Sequence, residues 1–175
     1  MNEPWISKPS EGEYPTYAKM YIDLLPDDDQ ILKHLKTNFQ EVKNYISSLP
    51  EEKLKFRYAA EKWTIKEILV HIIDDERIYA YRALRIARND KTSLPGFEQD
   101  DYVPYSRANE RSLEDIFEEY ESVRNASLTL FKSFNQEDVM RLGMANGNQV
   151  SVRALIYHMA GHELHHLNSI KERYV

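Results

Sequence analysis

Four long stretches of this chain repeat apolar residues at intervals of three and four, and no strand-like alternation competes with them. Ile31, Leu35, Phe39, Val42, Ile46 and Leu49 form the first stretch, which stops at Pro50. Ile65, Ile68, Leu69, Ile72, Ile78 and Leu84 form the second, which runs to about Arg88 without a Gly or Pro. The third opens near Ser112 with Leu113, Ile116, Phe117, Tyr120, Val123, Leu130, Phe131 and Phe134. The fourth opens near Ser151 with Val152, Leu155, Ile156, Met159, Leu167 and Ile170. Such spacing lines up each set on one face of an α-helix. Helices of roughly 23 residues are each about 35 Å long, and amphipathic helices of equal length bury their stripes best against one another. The pattern predicts an all-α fold, a four-helix bundle.

The helix boundaries carry their own signals. Asp27, Asp28 and Asp29 follow Pro26 and read as an N-cap with acids in the first turn. Thr64-Ile65-Lys66-Glu67 is a capping box, with Trp63 placed as a hydrophobic staple on Ile68. Asn146-Gly147, between Arg141 and Val152, predicts a small hairpin. Residues 50–63 and 135–150 are moderate connections, but 89–111 is long and holds Pro95, Gly96 and Pro104. Fully extended, that connection reaches roughly 75 Å, enough to return along the whole bundle. The second and third helices are therefore expected to be parallel, giving an up-down-down-up order with a long helix 2–helix 3 connection. The acids and aromatics of that connection (Phe97, Asp100, Asp101, Tyr102 and Tyr105) suit a lid over a site or a surface strap equally.

Composition narrows the chemistry. A chain of 175 residues reads as a single domain over 1–175, with residues 1–26 as an N-terminal extension, and disorder is unlikely except near the N-terminus. There is no cysteine, so thiol nucleophiles, disulfides and Cys-type zinc sites are all excluded and any metal falls to His, Asp or Glu. A net charge of −6 with interspersed signs leaves no basic stripe for nucleic acid. Apolar runs are too short to span a membrane, and the opening residues lack a secretory h-region. A cytoplasmic protein is expected.

The fourth helix carries the sharpest motif, Gly161-His162-Glu163-Leu164-His165-His166, which contains the metalloprotease signature His-Glu-x-x-His. His162 and His166 lie on one helix face and can bind one ion. The extended protease signature asks for Gly and His where Ser169 and Glu172 stand, and the flanking strands are missing, so the protease reading fails. A third ligand must come from upstream. His71 sits beside the buried stripe of the second helix, whereas His34, between Lys33 and Lys36, is expected in solvent. His158 lies one turn before His162, so a His158/His162 pair is an alternative, and His165 would point sideways. Asp75, four residues after His71, would orient that ring from behind. The rest of Asp74–Arg77 reads as a solvated face, and Glu163 as a partly exposed residue near the site.

Trp63-Thr64-Ile65-Lys66-Glu67-Ile68-Leu69-Val70-His71-Ile72-Ile73-Asp74 resembles the second helix of the DinB-like (YfiT-type) superfamily. His158-Met159-Ala160-Gly161-His162-Glu163-Leu164-His165-His166, with Ile170 after it, is similar to the last helix of that family. Leu94-Pro95-Gly96-Phe97-Glu98 resembles the loop between its second and third helices, so the resemblance covers about residues 30–173. It implies an up-down-down-up bundle, often a homodimer, with a triple-histidine metal site at His71, His162 and His166.

Three neutral imidazoles leave positions open, so an ion there can acidify a water, polarise a carbonyl or hold a thiol as thiolate. They suit zinc, nickel, iron and copper alike. Zinc or nickel is the expectation, with iron or manganese as alternatives. The resemblance implies a metal-dependent enzyme acting on a small molecule, either a transferase using a low-molecular-weight thiol or a hydrolase. The competing class is a non-enzymatic, stress-related dimer whose metal site is structural or vestigial.

Overall fold

The computed structural model describes residues 5–174. Four helices carry the fold: α1 (Ile31–Ser47), α2 (Ile65–Ala87), α3 (Leu113–Lys132) and α4 (Val152–Arg173). Short helical turns punctuate the connections, and a two-stranded antiparallel hairpin, β1 (Leu142–Ala145) and β2 (Asn148–Ser151), precedes α4. Asn146 and Gly147 take positive φ (49° and 72°) at its tip, as a tight hairpin turn of this Asn-Gly type requires. Among the described residues no helix is long and apolar enough to cross a membrane.

Each helix packs on two neighbours, α1 and α2 each touching both α3 and α4. Side-chain pairs give the directions. Just before α2 and α3, Thr64 meets Asn109, and farther along Arg77 of α2 meets Glu119 of α3, so these two run parallel. His71 meets His166 while Tyr79 meets His158, so α2 and α4 are antiparallel. Asn38 donates to the Ala160 carbonyl and Lys171 pairs with Glu41, so α1 and α4 are parallel. The bundle is up-down-down-up, and the connection 89–111 returns along its length.

The caps match the chemistry of their residues at three of the four helix starts. Thr64 and Glu67 close a full capping box, and Ser112 and Ser151 accept from the backbone three residues on. At α1 the expected aspartate cap is absent. Asp29 adopts a left-handed φ of 59°, Gln30 takes the cap position without a side-chain bond, and α1 begins at Ile31. Asp28 instead accepts from the Gln30 amide and pairs with His34 at 2.9 Å, which leaves His34 half-buried rather than in solvent.

The stretch before α1 is not a loose extension. Ile6, Ala18, Ile22 and Leu25 are buried in the core, and the Tyr21 backbone lies against Gly161 so closely that an added Cβ there would collide with the Tyr21 carbonyl. Residues 1–4, the start of that extension, lie outside the described residues.

The core divides into two apolar clusters, one toward Leu32, Ile86 and Phe131, the other toward Ile46, Ile65 and Ile116. Between them lies a buried polar belt. Arg124 of α3 pairs with Glu76 at 2.9 Å and with Glu163 at 3.2 Å, and also donates to the Leu35 carbonyl. The candidate site sits at this same level, on the other side of α4.

Candidate metal centre

Three of the six histidines meet inside the bundle. Nε2 of His162 lies 3.1 Å from Nε2 of His71 and 3.0 Å from Nε2 of His166. Four-residue spacing stacks His162 and His166 on one face of α4, and antiparallel α2 brings His71 to the same level. The rings of His71 and His166 stand at 76° and 86° to that of His162, so nitrogen-bearing edges meet rather than faces.

Burial pushes the His71 imidazole down to about 4. Burial, with neighbouring imidazoles adding to it, holds His162 and His166 well below the ordinary histidine range. Near neutral pH each ring is therefore uncharged and offers one lone pair. Nitrogen ligands on a tetrahedral ion at about 2.0–2.1 Å stand about 3.3 Å apart, within a few tenths of an ångström of the separations here. Three neutral nitrogens suit a divalent transition metal rather than a hard, oxygen-seeking cation. The donor set fits such an ion.

Asp75 does not orient His71 as its spacing suggests. Its Oδ2 lies 3.4 Å from Nδ1 of His162 and 3.7 Å from Nε2 of His158. One turn beyond His71 on α2 faces one turn earlier on antiparallel α4, which is where those two histidines are. A carboxylate beside Nδ1 favours the ring proton there, leaving the Nε2 lone pair for the convergence with His71 and His166. Burial raises the Asp75 carboxyl well above the usual range, opposed by Arg82.

Glu163 is not partly exposed but fully buried. One residue is a turn of about 100° around the helix, so next to His162 it faces the bundle axis. There it accepts a short hydrogen bond from Tyr120 and pairs with Arg124. Burial pushes it up to about 7 against the pull of Arg124. Glu76, expected in solvent, is buried in the same cluster, and of the Asp74–Arg77 face only Arg77 is exposed and Asp74 half-buried. His165 is half-buried, its ring set edge-on to Tyr21 at 5.3 Å. His158 is buried, stacked on Tyr79 at 4.0 Å.

Two polar openings flank the three histidines. A cavity of about 260 Å³ is lined by Asp75, His158 and His162 with Tyr21, Arg82 and Asp100. Another of about 330 Å³ reaches His166 past Trp63, Lys62 and Gln99. Gln99 and Asp100 line both, so the 89–111 connection crosses the site between them. The hairpin holds it there, through Leu94 N–H to the Met144 carbonyl at 2.9 Å and Asn146 N–H to the Leu94 carbonyl at 3.0 Å. Of the expected lid residues, Phe97 and Asp100 face the site, whereas Tyr105 points into solvent at 85% exposure. Tyr79 and Arg82 line the cavity without having been singled out in the sequence. The signal was present, since His71, Asp75, Tyr79 and Arg82 recur at four, four and three on one face of α2.

Comparison with known proteins agrees with this architecture. The sequence pattern of the DinB superfamily matches residues 34–170. The "Putative metal-dependent hydrolase OB0413" of Oceanobacillus iheyensis is 27% identical over 150 residues, covering 84% of this chain and 85% of that protein. The solved structure of YfiT from Bacillus subtilis, described as a probable metal-dependent hydrolase with an unusual four-helix bundle topology, superposes with a TM-score of 0.77. The superposition covers 94% of this chain and 90% of that one at 12% identity, a likeness of fold. By the match over most of its length, the chain belongs to the DinB superfamily.

Proposed function

We propose that His71, His162 and His166 hold one divalent transition-metal ion, zinc or nickel first, and that the protein is a cytoplasmic metal-dependent hydrolase of small molecules. The observation that carries this reading is the convergence of three imidazole nitrogens, two from buried rings and one from the half-buried His166, between two open polar cavities. A purely structural site is closed by protein ligands, whereas among the described residues three nitrogens converge here beside two open cavities. The hydrolase name of the Oceanobacillus relative supports the same class.

An ion held there would supply Lewis acidity, polarising a carbonyl or phosphoryl group and lowering the pKa of a water. The chain's own residues do the rest. Asp75 positions the His162 ring, and the stack of Tyr79 on His158 with Tyr21 across it walls off the site from the core. Glu98 and Asp100 against Arg82 give the larger share of the mouth a negative charge, favouring neutral or cationic substrates.

A second reading, thiol-dependent group transfer, is favoured by one observation: two separate openings reach the site, one for each reactant. The homodimer implied by the family resemblance belongs to either reading, and light scattering of the tag-free protein checks it.

The deciding experiment is elemental analysis of tag-free protein, followed by hydrolase and thiol-transfer screens before and after chelation. One metal per chain is expected at this site in the protein as purified, with occupancy of the site cut to a similar degree by His71→Ala, His162→Ala or His166→Ala and unchanged by His34→Ala. Protein that takes up neither zinc nor nickel would sink the enzyme reading. Metal that stays bound with no chelator-sensitive turnover would favour the non-enzymatic class.

A further inference from the structure

His162 has two ring nitrogens, and the centre described so far uses one. Its Nδ1 faces a second buried group, the Asp75 carboxylate at 3.4 Å. Nε2 of His158 approaches the same oxygen, at 3.7 Å. One ligand atom from each of Asp75, His158 and His162 lies within 4.8 Å of the others, the same criterion that His71, His162 and His166 meet. All three residues are at most 4% exposed.

These groups face one another without bonding. Asp75 meets the two rings as loose ion pairs, and among the described residues Nδ1 of His158 is buried with no hydrogen-bond partner. Three ligand atoms that converge at such loose distances leave room for a small cation between them. The gap is not sealed, because all three side chains line the cavity of about 260 Å³. Two imidazoles and a carboxylate are ligands of first-row divalent cations, and such ligands on a tetrahedral ion stand about 3.3 Å apart. The two carboxylate–imidazole separations of 3.4 and 3.7 Å lie just outside that figure, and the three ligand atoms all fall within 4.8 Å of one another, so an inward movement of the side chains would close them onto an ion. The nearby cation, Arg82, is engaged elsewhere, donating to the Pro95 carbonyl at 2.8 Å and lying over the rings of Tyr79 and Phe97.

We propose that Asp75, His158 and His162 form a second divalent-cation site, joined to the first through the His162 ring. With both sites filled, Nε2 of His162 serves one ion and Nδ1 the other, and the ring gives its remaining N–H proton to solvent. Asp75 then acts as a ligand in place of its positioning role. His158, which has no other polar task in the fold, becomes the residue that distinguishes the two sites. The inference shares His162 with the ligand set of the proposed function but does not need His71 or His166.

Zinc titration followed by native mass spectrometry, in a buffer that keeps free zinc micromolar, tests it on the full chain. Two zinc ions per chain are expected for the unaltered protein, one for His158→Phe, one for His71→Ala and none for His162→Ala. Phenylalanine keeps the stack on Tyr79, and circular dichroism confirms that the variant is folded; Asp75→Asn, with its own fold check, is the second probe of the same site. A single zinc in the unaltered protein that survives His158→Phe but not His71→Ala overturns the second site and leaves the first standing. Two zinc ions retained in both His158→Phe and Asp75→Asn overturn it as well. A single zinc lost in His158→Phe and kept in His71→Ala would support this site and remove the ligand set proposed above.

Discussion

His162 and Glu163 are neighbours in the chain and sit in different chemical surroundings. The imidazole joins His71 and His166, while the carboxylate turns to Tyr120 and Arg124 in the bundle axis. Glu163→Gln is therefore expected to leave zinc uptake unchanged, as isothermal titration would show; a lost or much weakened site would mean that the carboxylate acts at the metal after all. Arg124→Met is expected to cost about 3–5 kcal/mol in urea unfolding, because it strands the buried carboxylates of Glu76 and Glu163. A cost near zero would show that those acids already carry protons. The four-residue spacing of His162 and His166 was legible in the sequence because a helix fixes that geometry by itself. The surroundings of Asp75 and Glu163 were not, since which partner a residue meets depends on the phase and level of the neighbouring helix. The composition of the Asp74–Arg77 run suggested solvent, and only the packing of Arg124 against Glu76 reveals that half of it is core.

At the scale of elements, the helices and the hairpin were readable because each has a local cause: a capping box at Thr64, serine caps at Ser112 and Ser151, and an Asn-Gly turn. The segment before α1 was not readable. Its buried residues, Ile6, Ala18, Ile22 and Leu25, are too sparse and irregular to form a period. It nevertheless forms one wall of the site, with Tyr21 edge-on to His158, His162 and His165 at 5.0–5.4 Å. The glycine at position 161 lets it approach. Gly161→Ala is expected to push the turn at Lys19–Ile22 off α4 and to destabilise the fold by about 1–3 kcal/mol, the usual cost of overpacking. Thermal unfolding measures this, and an unchanged midpoint would show that the segment is not docked there in solution. Thr64→Ala is expected to cost about 1 kcal/mol by the same assay, through loss of the cap on α2.

For the molecule as a whole, burying so many neutral histidines makes stability depend on pH. The folded His71 ring protonates only near 4 and His158 only near 3, while in the unfolded chain both do so near 6.5. The unfolded state therefore takes up protons first as pH falls, and stability that is complete above about 6.5 drains away toward pH 4. For His71 alone the shift corresponds to on the order of 3 kcal/mol. Glu163 works in the opposite sense, since its raised value favours the folded state at low pH and loses that advantage as pH rises toward 7. Asp74 and Asp75, also raised by burial, act in the same sense as Glu163, but the five lowered histidines outnumber these three acids. Urea midpoints of the metal-free protein should fall clearly between about pH 7 and about pH 5, and a flat profile would mean the rings are more solvated than their packing implies. The up-down-down-up order also governs when the centre comes into being. His71 and His162 are 91 positions apart, and α4 docks beside α1 through the contact of Asn38 with Ala160, 122 positions apart. During synthesis the first three helices are made before His162 and His166. If the proposed ion binds there, the cage that selects it exists only in the finished, closed bundle.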